Sequence, residues 1–241
     1  MGSRSVISNQ ESLYKNLEAT VKKYASTEYL RPVAEHTQIA FREAAEFVKS
    51  FYKVDGDVPE GKRLSVILDS GCGLGESTFR LAFRFPGFPV IGIDKSVARL
   101  EKGRRMCCIP ENVLLVRAEL VDFWRLTLEF VKTSRWVIPY HALYYPNPWP
   151  KQSEATRRFH LHPVFPALIA LSQETELRTN WEIYAREFKR AAEIVWSESG
   201  CEGENEAEIS TFVPDECVSA FERKYHLDAQ TLWKVRLHTL R

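Results

Sequence analysis

Apolar residues fall at helical spacing at Leu13, Leu17, Val21 and Tyr24, and again at Ile39, Phe41, Ala44, Ala45, Phe47 and Val48, which predicts two helices within residues 10–53. Leu30-Arg31-Pro32 separates them, and the turn-rich stretch Val54-Asp55-Gly56-Asp57-Val58-Pro59-Glu60-Gly61 follows. From Lys62 the rhythm changes. Leu64–Asp69 reads as a buried strand, residues 76–85 as a helix carrying Phe79, Leu81, Ala82 and Phe83, and Phe88–Asp94 as a second strand. A helix over Val97–Met106 and a strand over Asn112–Ala118 come next. Further strands are predicted at Tyr140–Tyr145, Thr175–Thr179 and Leu232–Leu237, with helices at Pro163–Leu171 and Trp181–Val195. Strands alternating with helices require right-handed crossovers and a mostly parallel sheet. The pattern predicts a doubly wound α/β domain over residues 62–241, with helices on both faces, preceded by an N-terminal helical extension and linker over residues 1–61. Ser197–Glu208 departs from it: acidic and glycine-bearing, it is expected to be a solvated loop.

Composition narrows the classes. The chain has 241 residues, 44% hydrophobic and 27% charged, an ordinary globular balance. A formal net charge of +1 excludes a globally basic polyanion binder, so any such binding needs a local basic face. The cysteines Cys72, Cys107, Cys108, Cys201 and Cys217 form no CxxC pair, and adjacent Cys107 and Cys108 suit no disulfide framework. Reduced thiols and a cytoplasmic location are expected. The N-terminus carries no apolar signal region, and no stretch reaches the roughly 18 apolar residues of a membrane span, so no membrane partner is expected. Met1-Gly2 opens like a myristoylation signal, but Val6 stands where that signal wants Ser or Thr.

Candidate chemistry begins at Asp69-Ser70-Gly71-Cys72-Gly73-Leu74-Gly75, between a strand and a helix. Glycine tolerates positive φ and lets backbone approach a ligand. A dinucleotide fingerprint would need glycine where Glu76 stands, and a phosphate-cradling loop would need Gly-Lys-Ser/Thr. Asp69 before the glycines and Asp94 at the end of the next strand add acceptors, Asp94 where ribose hydroxyls are bound in such folds. These residues resemble the first two motifs of class I S-adenosylmethionine-dependent methyltransferases, over about Leu64–Asp94. The resemblance implies a Rossmann-like fold and S-adenosylmethionine as cofactor. The glycine turn (Gly71, Gly73, Gly75, with Asp69) would pack on the methionine part, Asp94 would take the ribose and Glu119 would border the adenine. A Rossmann-like enzyme for another nucleotide stays open at this point.

A second motif, Tyr144-Tyr145-Pro146-Asn147-Pro148-Trp149-Pro150-Lys151, follows the fourth strand of the main domain, and its prolines stiffen the chain around Asn147. It resembles the Phe-Pro-Asp-Pro-Trp-Pro-Lys motif of the tRNA (guanine-N7) methyltransferase family. Arg157-Arg158 ahead of Pro163-x-Phe165, Leu177-Arg178-Thr179-Asn180-Trp181-x-x-Tyr184, and Ser219-Ala220-Phe221-Glu222-Arg223-Lys224 agree with it in order. The resemblance implies tRNA as partner, methyl transfer to N7 of a variable-loop guanine, Asn147 as the catalytic position, and Asn147, Lys151, Arg157, Arg158, Asn180, Tyr184, Ser219 and Glu222 facing the substrate.

Asn147 and Asn180 replace two aspartates of that family. Methylating N7 removes no proton before attack, so positioning outweighs base catalysis, and an amide can accept from guanine N1–H and donate to O6. The amides leave two alternatives open: another acceptor, such as an exocyclic amine or a small molecule, or a non-catalytic RNA-binding relative.

Lys151, Arg157, Arg158, His160 and His162 cluster after the motif, interrupted by Glu154, as either a phosphate clamp or a solvated charged face. Arg223, Lys224, Lys234 and Arg236 could extend it. Ser219–Glu222 also suits a helix cap. His160 and His162 have no companions at ligand spacing, so no metal site is expected. The sequence leaves the oligomeric state open, a monomer being one option.

Overall fold

The computed structural model describes residues 5–56, 58–59, 61–106, 108–133, 135–201 and 205–239. Met1, Gly2, Asp57, Glu60, Cys107 and the centre of the acidic stretch, residues 202–204, lie outside the described residues. Elements run α1 (Leu17–Ala25), α2 (Glu35–Phe51), β1 (Leu64–Ser65), β2 (Ile67–Ser70), α3 (Glu76–Arg84), β3 (Val90–Asp94), α4 (Val97–Met106), β4 (Val113–Arg117) and α5 (Leu120–Lys132). There follow β5 (Trp136–Val137), β6 (Tyr140–Tyr144), 3-10 turns at Gln152–Arg157 and Phe159–Leu161, α6 (Phe165–Ile169), β7 (Glu174–Thr179), α7 (Glu182–Glu198), β8 (Asn205–Phe212), α8 (Ala220–Leu227) and β9 (Leu232–Thr239). No helix of the described residues is long and apolar enough to cross a membrane.

The chain divides into two compact units: Arg31–Ala142 with Leu171–Gln173, and Met1–Leu30 with Leu143–Ala170 and Glu174–Arg241. α1 goes with one unit and α2 with the other.

In the first unit the strand order is β4-β3-β2-β6. β2, β3 and β4 pair in parallel, with Gly92 opposite Asp69 on one side and Leu115 on the other. Ile67, Leu68, Ile91, Ile93, Leu115 and Val116 are all buried, the continuous apolar run of strands covered on both faces. The expected strand at 64–69 divides at Val66, because Leu64 and Ser65 pair with β5 instead. On one face, Phe41 of α2 meets Phe123 and Phe130 of α5 edge-on at 5.1 and 4.8 Å. Burial of each such ring contributes roughly 1.5–3 kcal/mol. A Cβ on Gly92 would come within 2.5 Å of Thr78 Oγ1 and 2.6 Å of Leu115, so α3 packs on bare backbone there.

In the second unit, Leu143 and Tyr144 at the end of β6 are followed in strand order by β7, β9 and β8. β9 is antiparallel to both neighbours. The acidic stretch corrects an expectation here. Ser197 and Glu198 end α7, while Asn205–Glu208 begin β8, an edge strand whose residues alternate in exposure. Glu206 and Glu208 point outward, and such charges on a sheet edge discourage pairing with other chains.

Candidate cofactor and acceptor sites

The glycine turn leaves β2 with Gly71, Gly73 and Gly75 all at positive φ, 81°, 60° and 85°. Gly75 caps α3, and a Cβ there would lie 3.1 Å from Leu115 Cδ1. A Cβ on Gly71 would meet nothing within 4 Å, so backbone conformation alone sets the need for glycine at that position. On α4, a Cβ at Gly103 would overlap the Leu74 carbonyl, so that helix lies directly on the turn.

Four amides of this turn are spent on protein acceptors. Gly71 and Cys72 donate to the Ile93 carbonyl at 2.8 and 3.1 Å, Gly75 to Cys72 O at 2.9 Å, and Gly73 to Asp94 Oδ2 at 3.0 Å. A phosphate cradle needs those N–H groups free. What the turn offers instead is carboxylate oxygen, which suits hydroxyl, amino and cationic groups.

Asp94 is the centre of that arrangement. Besides Gly73, it accepts from Ser96 N–H at 2.8 Å and pairs with Arg99 at 3.4 Å. Glu119 is exposed at the N-terminus of α5, and its amide donates to Thr37 Oγ1 at 3.0 Å. Asp69 sits differently. It is 1% exposed, and its Oδ2 accepts both the Ser77 and Thr78 hydroxyls at 2.6 Å. Burial pushes its carboxyl up to about 6 against the pull of those two hydrogen bonds. Asp69 therefore anchors α3 to β2 beneath the turn.

Beside it lies a buried relay with no signature in the sequence. Trp124 Nε1 donates to Ser70 Oγ at 2.9 Å, and Ser70 Oγ is hydrogen-bonded to His141 Nε2, 2.8 Å away. Burial drives the His141 pKa down to about 3.

In the second unit the Tyr145–Lys151 loop is strained at both ends. Tyr145 and Trp149 hold positive φ, 51° and 44°, each just before a proline. Non-glycine residues there cost about 1–3 kcal/mol each and persist only where neighbours hold them. Asn147 stands exposed between them, its Oδ1 accepting from Trp149 N–H at 3.3 Å. Tyr145 N–H donates to Arg178 O at 2.8 Å, and its hydroxyl to Glu222 Oε2 at 2.7 Å.

Glu222 is buried and occupied. It also accepts from Val218 N–H at 3.2 Å and from Arg178 at 3.1 and 3.2 Å, while Ser219 Oγ caps α8 by accepting from Glu222 N–H at 3.2 Å. Arg178 reaches Glu176 at 2.7 Å and lies over the Tyr144 and Phe212 rings, 4.7 and 5.0 Å from their centroids. Asn180 Nδ2 donates to Gln230 Oε1 at 2.8 Å.

The basic cluster separates by burial. Lys151 and Arg157 are exposed, with Arg157 over the Trp149 ring at 4.6 Å and paired with Glu154 at 3.1 Å. Arg158, at 0% exposure, pairs with buried Glu187 at 2.7 Å, and His160 meets the same carboxylate oxygen at 2.8 Å. Burial would raise Glu187, yet the His160 hydrogen bond, the Arg158 charge and the Tyr14 amide hold it down at about 2. Burial lowers His160. Tyr184 is buried against the His160 ring. Of the residues expected to face a substrate, Arg158, Tyr184 and Glu222 are thus buried, and Ser219 Oγ is engaged as the cap of α8. Asn147, Lys151 and Arg157 remain exposed, and Asn180 half-exposed.

Comparison with known proteins places the chain. A family described as "Putative methyltransferase" matches residues 63–235. A tRNA (guanine-N(7)-)-methyltransferase of Mycobacterium avium (strain 104) is 34% identical over 122 residues, 48% of this chain and 44% of that protein. The match thus spans less than half the length of this relative. A trans-aconitate 2-methyltransferase of Paracidovorax citrulli (strain AAC00-1) is 55% identical over 49 residues, 20% of this chain and 19% of that one. Among solved structures, the 16S rRNA methyltransferase KamB aligns with TM-score 0.51 at 14% identity, covering 88% of this chain and 97% of its own. That likeness concerns the fold alone, which is Rossmann-like, of the class I methyltransferase kind.

Proposed function

Since this chain belongs to the methyltransferase family that its residues 63–235 match, we propose that it transfers a methyl group from S-adenosylmethionine to N7 of a guanine in tRNA, at the variable loop, in the cytoplasm. S-adenosylmethionine, when bound, supplies a methyl group activated on a sulfonium. The donor set of the glycine turn fits such a molecule: its carboxylates suit a ribose diol, an adenine amine and cationic centres, and its occupied amides leave little for a phosphate. Asp94 and Glu119 present acceptors, Gly71, Gly73 and Gly75 shape the turn, and Asp69 holds it.

The observation that carries the acceptor reading is the loop strained at Tyr145 and Trp149, which holds a solvent-facing Asn147 between two prolines. Strain kept on both sides of an exposed polar residue points to function. N7 carries an in-plane lone pair, so the chain has no proton to remove before transfer. Its task is to hold the base, with the Asn147 amide accepting from N1–H and donating to O6. Asn180 presents a second amide, and Lys151 and Arg157 attract the phosphates. The test is incubation of the whole chain with methyl-labelled S-adenosylmethionine and unmodified tRNA. Label is expected in the RNA; tRNA left unlabelled rejects the reading.

A further inference from the structure

We propose that residues 8–14, outside the family match, are a working part of the acceptor loop, with Gln10 a positioning residue for Trp149 and, through it, for Asn147. Gln10 is 5% exposed and uses both ends of its amide. Its Oε1 accepts from Arg158 Nη2 at 3.0 Å, and its Nε2 donates to Glu187 Oε1 at 2.6 Å and to Ser12 O at 2.8 Å. Gln10 therefore bridges the buried Arg158–Glu187 pair.

Arg158 turns that bridge toward the loop. Its Nε and Nη2 both donate to the Trp149 carbonyl, at 3.2 and 2.9 Å, and its Nη1 to Glu187. The next carbonyl, Pro150 O, accepts from Ser8 Oγ at 2.7 Å, and Ser8 Oγ in turn accepts from Gln10 N–H at 3.0 Å. Tyr14 N–H closes the strap on Glu187 Oε1 at 2.6 Å. Two successive carbonyls of a strained turn are thus held by side chains that depend on residues 8–14. Trp149 sits at φ 44°, a conformation it keeps only under such restraint. Its N–H is the donor to Asn147 Oδ1, so the setting of Trp149 decides which way the exposed amide faces.

The structural part of this inference is independent of the acceptor; only its catalytic consequence rests on the function proposed above. Hydrogen exchange in the full chain tests it, using Gln10→Met, which keeps the volume and removes all three side-chain hydrogen bonds, and Ser8→Ala, which lies nearer the surface. Exchange over residues 145–151 is expected to rise about tenfold in Gln10→Met and by a smaller factor in Ser8→Ala, with residues 67–94 unchanged. Methyl transfer to tRNA falls in kcat while the KM for S-adenosylmethionine holds. Unchanged exchange at 145–151 in both variants overturns the inference, as does a rise spread evenly over α7 and β7–β9. Local loosening of 145–151 in a chain that methylates no tRNA upholds it and rejects the proposed function instead.

Discussion

The Tyr145 hydroxyl donates to Glu222 at 2.7 Å, joining the strained entry of the acceptor loop to a helix 77 residues further along the chain. Burial and the Glu222 charge raise the Tyr145 pKa, so the phenol keeps its proton and remains a donor. Glu222→Ala removes the acceptor of Tyr145 and Val218 and one of the two carboxylates that neutralise Arg178. Breaking a buried pair on one side is expected to cost about 3 kcal/mol, read by urea unfolding. An unchanged midpoint would mean that Glu222 is not a strut of the loop.

Asp69 has a pH signature. Its folded pKa of about 6 lies above the ordinary value of 3.8, so the folded state binds the extra proton between those values. Stability from this group is full below about pH 4 and is lost as pH rises toward 6, by about 3 kcal/mol in all. Asp69→Asn removes that slope, so the variant should gain on the wild type as pH goes from 4 to 6.5. Parallel stability profiles for the two proteins would show that Asp69 is not held in this buried state.

Gly71 and Gly75 share the backbone cost of positive φ but differ in space. Alanine at either should lower cofactor-free stability by about 1 kcal/mol for conformation. Gly75→Ala adds the 3.1 Å approach to Leu115 and should melt at the lower temperature of the two. Equal melting temperatures would count against this geometry of the turn.

Adjacent Arg157 and Arg158 should behave as different residues. Arg157→Ala leaves stability unchanged but weakens tRNA binding and lowers the salt slope by about one, as loss of a phosphate contact does. Arg158→Ala strands Glu187 in the interior and acts first on stability, by about 3–5 kcal/mol. Salt titrations of binding, set beside urea unfolding of the same variants, separate the two. Equal loss of stability in both would contradict the assignment.

Those two arginines mark where sequence reading stops. Side by side in a basic stretch they are indistinguishable as letters; the 3-10 turn ending at Arg157 sends one to water and the next inward. The β2–turn–β3 stretch was legible because apolar runs and glycines at positive φ are local requirements. β8 was hidden because its charges are those of an edge strand, which look like a solvated loop. Gln10, Glu187 and His141 act through partners far away in sequence, as Gln10–Glu187 does across 177 positions, and no local pattern reports such a pairing. α5 carries a local signal of its own, since Phe123, Trp124 and Thr127 lie on its buried face at helical spacing.

The acceptor atom is the centre of the account, and the chemical identity of the methylated nucleoside tests it most directly. Unmodified tRNA treated with the whole chain and S-adenosylmethionine should break at one guanosine after borohydride reduction and aniline treatment, and a separate aliquot spared that treatment should yield N7-methylguanosine on digestion. Methyl label retained in uncleaved RNA, on an exocyclic amine or any other atom, would contradict it.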